Sequence, residues 1–204
     1  MENRPDVYLS RHHFLRGCLG LAAAALAGLP LATARAAVPL SPTPECRDGD
    51  DPTPPQTAGP FFKPDSPRRA SLLEPGAAGE RIVLSGYVLS RSCRPIPGAL
   101  LDVWHADADG QYDNAGHRFR GHQFADAQGR YRLETLVPGG YWSRTPHYHV
   151  RVQAPKGPIL TTQLYFPGEP RNQRDFLFRP ELLMSVERAR EEKRAAFHFV
   201  LNVP

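Results

Sequence analysis

From Arg81 to Val203 the chain is divided by turn signals at close intervals. Pro95-Ile96-Pro97-Gly98, Ala108-Asp109-Gly110, Ala127-Gln128-Gly129 and Pro138-Gly139-Gly140 each supply glycine or proline where the backbone must reverse. The runs between them have strand character, at about Arg81 to Leu89, Gly98 to Trp104, Gly129 to Thr135, His147 to Ala154, Ile159 to Phe166 and Ala195 to Val203. Many short strands at this spacing predict an all-β chain folded as an antiparallel β-sandwich. Leu182 to Arg194 is mixed: its charges suit a helix, but Met184 and Val186 alternate and the run ends before a strand. A hairpin is expected there, after a short helical turn near Asn172 to Phe178. No internal repeat is visible.

Residues 1–36 have the character of an export signal rather than of a folded domain. Gly17 to Ala34 is uncharged and rich in Ala, Leu and Gly, with Arg11 and Arg16 before it and Ala34-Arg35-Ala36 at its end. Cleavage after Ala36 is expected. Ser10-Arg11-His12-His13-Phe14-Leu15-Arg16 is similar to a twin-arginine signal with His12 in place of the second arginine, so both the twin-arginine and the general secretory routes stay open. Pro30, the alanines and the small-residue site favour cleavage over an uncleaved anchor, and no stable membrane insertion is expected afterwards.

Removing the leader takes Arg4, Arg11, Arg16 and Arg35 against Glu2 and Asp6, turning 25 basic and 21 acidic residues into 21 and 19. A nearly neutral chain without an aromatic-interleaved basic patch gives no reason to expect nucleic acid as a partner. Cys18 falls in the leader, leaving Cys46 and Cys93 in an oxidising compartment, where one structural disulfide is expected and free buried thiols are the alternative. Residues 37–80 read as an irregular, proline-rich extended arm, and residues 81–204 as the β-sandwich domain. Within the arm, Phe61 and Phe62 are consecutive aromatics that need a surface to pack on.

The chemistry concentrates in Pro138 to Gln153. In a strand, His147 and His149 point to the same face about 6 to 7 Å apart at a rise of about 3.3 Å per residue. Two imidazoles so placed fit a shared metal ion, or a surface strand with two solvated histidines. Tyr141 sits at the exit of the Pro138-Gly139-Gly140 turn, and Arg144 lies between them. Tyr112, beyond the Asp- and Gly-rich turn after Trp104, is by itself an ordinary edge aromatic. His105, His117, His122 and His198 have no partner at ligand spacing and read as structural. Asp107-Ala108-Asp109-Gly110 lacks the further acidic positions of a calcium loop and reads as a turn.

Several ordered pieces resemble the intradiol ring-cleavage dioxygenases, the family of protocatechuate 3,4-dioxygenase and catechol 1,2-dioxygenase. They are Gln56 to Phe62, Pro97-Gly98-Ala99 through Val103-Trp104, Gly110-x-Tyr112, Phe119-Arg120-Gly121, Gly129-Arg130-Tyr131, Pro138-Gly139-x-Tyr141, Arg144-x-x-His147-x-His149 and Thr162 to Phe166. The resemblance implies one non-haem Fe(III) per chain, held by Tyr112, Tyr141, His147 and His149. It further implies a catechol-type diol and O2 as substrates. Tyr141 is then the ligand that swings off and accepts a proton, Arg144 stabilises charge developing on the ring, and Gln163 supports the same pocket. The interval from Tyr141 to His147 is shorter than in the well-known protocatechuate enzymes, and Tyr148 stands where a smaller aliphatic is common. Hydroxyquinol, or a diol attached to a larger molecule, is a second substrate reading, and a homo-oligomer is allowed. A non-catalytic metal- or carbohydrate-binding β-sandwich with a degenerate site is the competing class, against which the retention of all four ligands and Arg144 weighs.

Overall fold

The computed structural model describes Cys46, residues 51–189 and residues 192–204; the expected leader with its expected cleavage site, and the start of the arm, lie outside the described residues. Among the described residues nine strands run as β1 Arg81–Ser90, β2 Leu100–Trp104, β3 Arg120–Phe124, β4 Arg130–Leu136, β5 His147–Gln153, β6 Ile159–Tyr165, β7 Ser185–Arg188, β8 Lys193–Ala196 and β9 Phe199–Leu201. Two 3₁₀ turns, Pro170–Arg174 and Pro180–Leu182, are the helical elements among the described residues. One sheet has the order β4-β1-β8-β7 with β9 also on β1, and the other β3-β2-β5-β6. The all-β sandwich expected from the turn spacing is what forms, and the expected hairpin is β7 paired antiparallel with β8.

The two sheets meet over one apolar core. Leu84, Val88, Tyr131 and Leu133 of the first sheet join Leu101, Val103, Val150, Val152 and Leu164 of the second in a single buried cluster. Tyr148 takes part too, and its hydroxyl donates to Leu136 O at 2.8 Å, tying β5 to β4 across the sandwich. The residue between the two histidines therefore belongs to the core, where a larger side chain finds room and a hydrogen-bond acceptor.

Three features differ from the sequence expectation. The strand predicted over Ala195 to Val203 is two strands, both parallel to β1, broken at Phe197 and His198. The break has a local cause: the Phe197 carbonyl crowds Gly86, where a Cβ would overlap it, and Tyr87 N–H donates to His198 Nδ1 at 3.1 Å instead of to a strand carbonyl. Pairing in that sheet is thus mixed rather than wholly antiparallel. The strand β3, polar in Arg120, His122 and Gln123, was not expected from periodicity; it forms by pairing with β2, and the arm covers its other edge through Arg69 N–H to His122 O (2.9 Å) and His122 N–H to Pro67 O (3.0 Å). Cys46 and Cys93 are disulfide-bonded, with Cα atoms 5.6 Å apart.

Candidate metal centre

The site is built on the outer face of the second sheet. Cross-strand pairing places Arg120, Trp104, His149 and Gln163 in one row over β3, β2, β5 and β6, with His147 and Tyr165 in the next. This face would be solvated in a bare sandwich, yet His149 is 0% exposed and Gln163 is equally buried. The arm covers it. Phe62 packs edge-on against Trp104 with centroids 5.0 Å apart, the Arg151 guanidinium lies 3.6 Å from the Phe62 ring centroid, and Gln163 Nε2 donates to Thr57 O at 3.0 Å. Gly59, at φ +68°, lets the arm backbone pass so close that a Cβ would stand 3.2 Å from His149 Cε1.

Two loops bring in the tyrosines. Gly110 N–H and Gly139 N–H both donate to Asp107 O, at 3.1 and 2.8 Å, so the turn after β2 and the turn after β4 share one acceptor. Gly110 has φ +80° and packs on the Gly140 carbonyl, which a Cβ would approach to 2.6 Å. Tyr112 and Tyr141 consequently meet edge to face, with centroids 5.4 Å apart. Around the site the four rings then close on themselves: Tyr141 to His147 is 5.7 Å, His147 to His149 is 4.8 Å, and His149 to Tyr112 is 6.2 Å between centroids.

The donor atoms fit a metal ion. His147 Nδ1 lies 2.7 Å from Thr145 O, and a carbonyl only accepts, so Nδ1 carries the proton and Nε2 keeps a lone pair. His147 Nε2 and His149 Nε2 are 3.2 Å apart. Two nitrogens about 2.1 Å from a shared ion and at roughly a right angle would lie about 3 Å apart. The Tyr112 hydroxyl is buried without a hydrogen-bond partner, a costly arrangement for a polar atom unless something binds it. Burial, with the Tyr141 phenol beside it, holds the Tyr112 hydroxyl well above the ordinary phenol pKa, so a bound cation would have to drive its deprotonation. Among the described residues no three His, Cys, Asp or Glu side chains converge, so a complete ligand set here needs the phenols.

Arg144 is held by a group that sequence reasoning missed. Its Nε donates to both Asp175 oxygens, at 3.0 and 2.9 Å, and its Nη2 to Gln163 Oε1 and Tyr165 Oη. Asp175 also receives Thr145 N–H at 3.0 Å and Leu177 N–H at 3.0 Å, and Thr145 Oγ1 donates to Asn172. Asp175 follows the first 3₁₀ turn in a segment with no motif, so its burial was the only signal, and burial is not a property of sequence. Of the remaining histidines, His105 bridges Ala106 O and Thr135 Oγ1, His122 sits on Ser66 O and His198 accepts from Tyr87, while His117 Nδ1 is buried without a hydrogen-bond partner.

Burial lowers the pKa of both His105 and His147 from 6.5 to about 4, and holds His149 well below its ordinary value. The unfolded chain therefore binds more protons than the folded one between about pH 6.5 and about 4, and stability is lost as pH falls through that window. Urea denaturation of the metal-free protein is expected to give a lower midpoint at pH 5 than at pH 7. An unchanged midpoint would mean these imidazoles are not buried neutral.

A family model described as Dioxygenase matches residues 58–203. The chain belongs to the intradiol ring-cleavage dioxygenase family. Among solved relatives, the dioxygenase domain of a dioxygenase carbohydrate-binding protein fusion from Streptomyces sp. SirexAA-E is 55% identical, with TM-score 0.74, covering 76% of this chain and 100% of that one. Catechol 1,2-dioxygenase from Pseudomonas sp. strain EST1001 is 28% identical over 171 residues, 71% of this chain and 57% of its own length. The protocatechuate 3,4-dioxygenase beta chain of Burkholderia cepacia is 36% identical over 110 residues, 45% of this chain and 47% of its own. The chain spans about half the length of these two longer dioxygenases. The matched span covers both tyrosine loops, both histidines, Arg144 and Gln163, together with Asp175.

Proposed function

We propose that this chain is an exported, iron(III)-dependent intradiol dioxygenase. It uses O2 to open a catechol-type ring between its two hydroxyls, giving a cis,cis-muconate-type diacid. The observation that carries this reading is the closed ring of two phenols and two imidazoles, with the Tyr112 hydroxyl buried and unpartnered among them. Phenolate oxygen is a hard anionic donor and imidazole a neutral one, a set that suits a ferric ion. Tyr112, Tyr141, His147 and His149 would hold one iron per chain, and that ion supplies Lewis acidity towards the two diol oxygens.

The chain's own groups do the rest. Tyr112 lies beneath the Phe61 ring, with centroids 4.3 Å apart and planes 16° from parallel, and stays in place. Tyr141 is half-buried beside Trp142, which is 82% exposed, and its phenolic oxygen is the one free to move aside and take a proton from the substrate. Arg144, locked by Asp175 and Gln163, offers fixed positive charge where negative charge develops on the ring. Gln163, anchored to Thr57 O, keeps that guanidinium oriented. The leader-like residues 1–36 and the Cys46–Cys93 disulfide support an exported, oxidising location.

The test is one purification followed by an assay. Iron-reconstituted protein is expected to carry about one iron per chain and a visible tyrosinate-to-iron band, and to take up O2 with at least one of catechol, protocatechuate and hydroxyquinol. A colourless protein that retains no iron after reconstitution would overturn the proposal. The preferred ring among the three assigns the substrate.

A further inference from the structure

Arg120 is 1% exposed, and none of the salt bridges among the described residues involves it. Burying a guanidinium is costly, so its bonds indicate what it is kept for. All three go to backbone carbonyls: Nη1 to Phe61 O at 2.7 Å, Nη2 to Asp113 O at 3.0 Å, and Nε to Asp113 O at 3.3 Å. Asp113 directly follows Tyr112, and Phe61 is the residue whose ring lies flat on Tyr112. One planar cation thus joins the two backbone segments that fix a single phenol, with its Cζ 5.9 Å from that phenol's ring centroid.

A second cation makes the same join from the arm side. Lys63 Nζ donates to the carbonyls of Asn114, Ala115 and Gly116 at 3.3, 3.0 and 2.8 Å. The Asp113 carboxylate gathers the N–H groups of Ala115, Gly116 and Arg118 at 3.0, 2.7 and 2.9 Å, so the loop after Tyr112 is closed on itself before the arm grips it. The Tyr112 hydroxyl has no hydrogen-bond partner, and the ring's position derives from these neighbours.

We propose that Arg120 and Lys63 are positioning residues that clasp the arm to the Tyr112 loop, so that the cover over the site and the tyrosine ligand move as one unit. Lysine does not reproduce Arg120 here, because the Phe61 and Asp113 carbonyls are met by separate nitrogens of one planar guanidinium, whereas all donors of an ammonium sit on a single nitrogen. The inference rests on the assignment of Tyr112 as a metal ligand, and goes beyond it by giving the Phe119-Arg120-Gly121 segment a role.

The test uses Arg120→Lys, Lys63→Gln, Phe61→Leu and the Arg120→Lys/Phe61→Leu pair in the full iron-loaded chain. The readouts are the visible band, the rate of iron loss to a chelator, kcat and KM separately, and the thermal midpoint. Arg120→Lys is expected to shift the band, to speed iron loss about tenfold and to lower kcat more than it raises KM. Lys63→Gln should act in the same direction with a smaller effect. The paired variant should lose iron more slowly than the product of the single effects predicts, because both changes act on one ring. A lowered midpoint with band and iron-loss rate unmoved would mean Arg120 is merely structural and overturn the clasp. Should Arg120→Lys not fold, the Lys63→Gln rate decides: faster loss supports the clasp and a wild-type rate overturns it. Failure of the ligand assignment itself is read separately, as a Tyr112→Phe variant that keeps its full band.

Discussion

Tyr112→Phe is expected to remove much of the visible colour of the iron-loaded protein while leaving the metal-free fold at least as stable as before. The two effects have opposite signs because the hydroxyl serves nothing else. It is buried, has no partner at hydrogen-bond geometry, and stands under Phe61 in a site closed by Tyr141 and His149. Deleting a buried unsatisfied hydroxyl relieves a desolvation cost of about 1 kcal/mol or more, so the metal-free midpoint should rise slightly. Deleting an anionic ligand removes a donor from the ion, and the stabilisation that iron confers by binding only the folded chain falls with it. Activity should drop by more than about a hundredfold, beyond what the loss of a group that only orients a ligand costs. The measurements are visible absorbance, iron content and paired thermal melts with and without metal. A full band at wild-type iron content would show that Tyr112 is not a ligand.

Asp175→Ala should give the largest loss of stability of any single change at the site. The Arg144 side chain is 8% exposed and that of Asp175 0%, so the pair is shielded from solvent. Removing the carboxylate leaves the guanidinium buried and unpaired and strands the N–H groups of Thr145 and Leu177. Breaking one side of such a pair costs about 3–5 kcal/mol. Chemical denaturation of the metal-free protein checks the magnitude, and a loss below about 1 kcal/mol would mean Arg144 finds another partner. Where the variant folds, kcat should fall with iron content maintained, because the hydrogen bonds of Asp175 go to Arg144, Thr145 and Leu177 and to none of the four candidate ligand side chains. Asp175→Asn separates charge from shape: its one amide oxygen can still accept Thr145 N–H, while the ion pair and the acceptor for Leu177 N–H are lost.

The two variants bear on residues of different legibility. Tyr112 stood out only through the Gly110-x-Tyr112 piece of an ordered resemblance, because a lone tyrosine after a turn carries no signal of its own. Asp175 stood out not at all, although it is 31 residues from Arg144 and holds it with two hydrogen bonds. Arg120 lay in a recognised segment, but its task depends on carbonyls of Phe61 and Asp113, and backbone acceptors leave no trace in side-chain identity. The polar strand β3 escaped for a related reason: its pairing partners on both edges, β2 and the arm, supply what its composition does not.

What the sequence determined by itself was local. Glycines and prolines mark the turns, alternation of Tyr148, Val150 and Val152 against His147 and His149 sets which face of β5 meets the core, and residues two apart on a strand must share a side. Those rules involve only near neighbours in the chain. The tertiary structure decided convergence: the arm burying the outer sheet face, Gly110 against Gly140 bringing two tyrosines edge to face, and Asp175 reaching Arg144. Each of these joins segments that are distant in sequence and adjacent only once the strands have paired, so no local pattern could encode them.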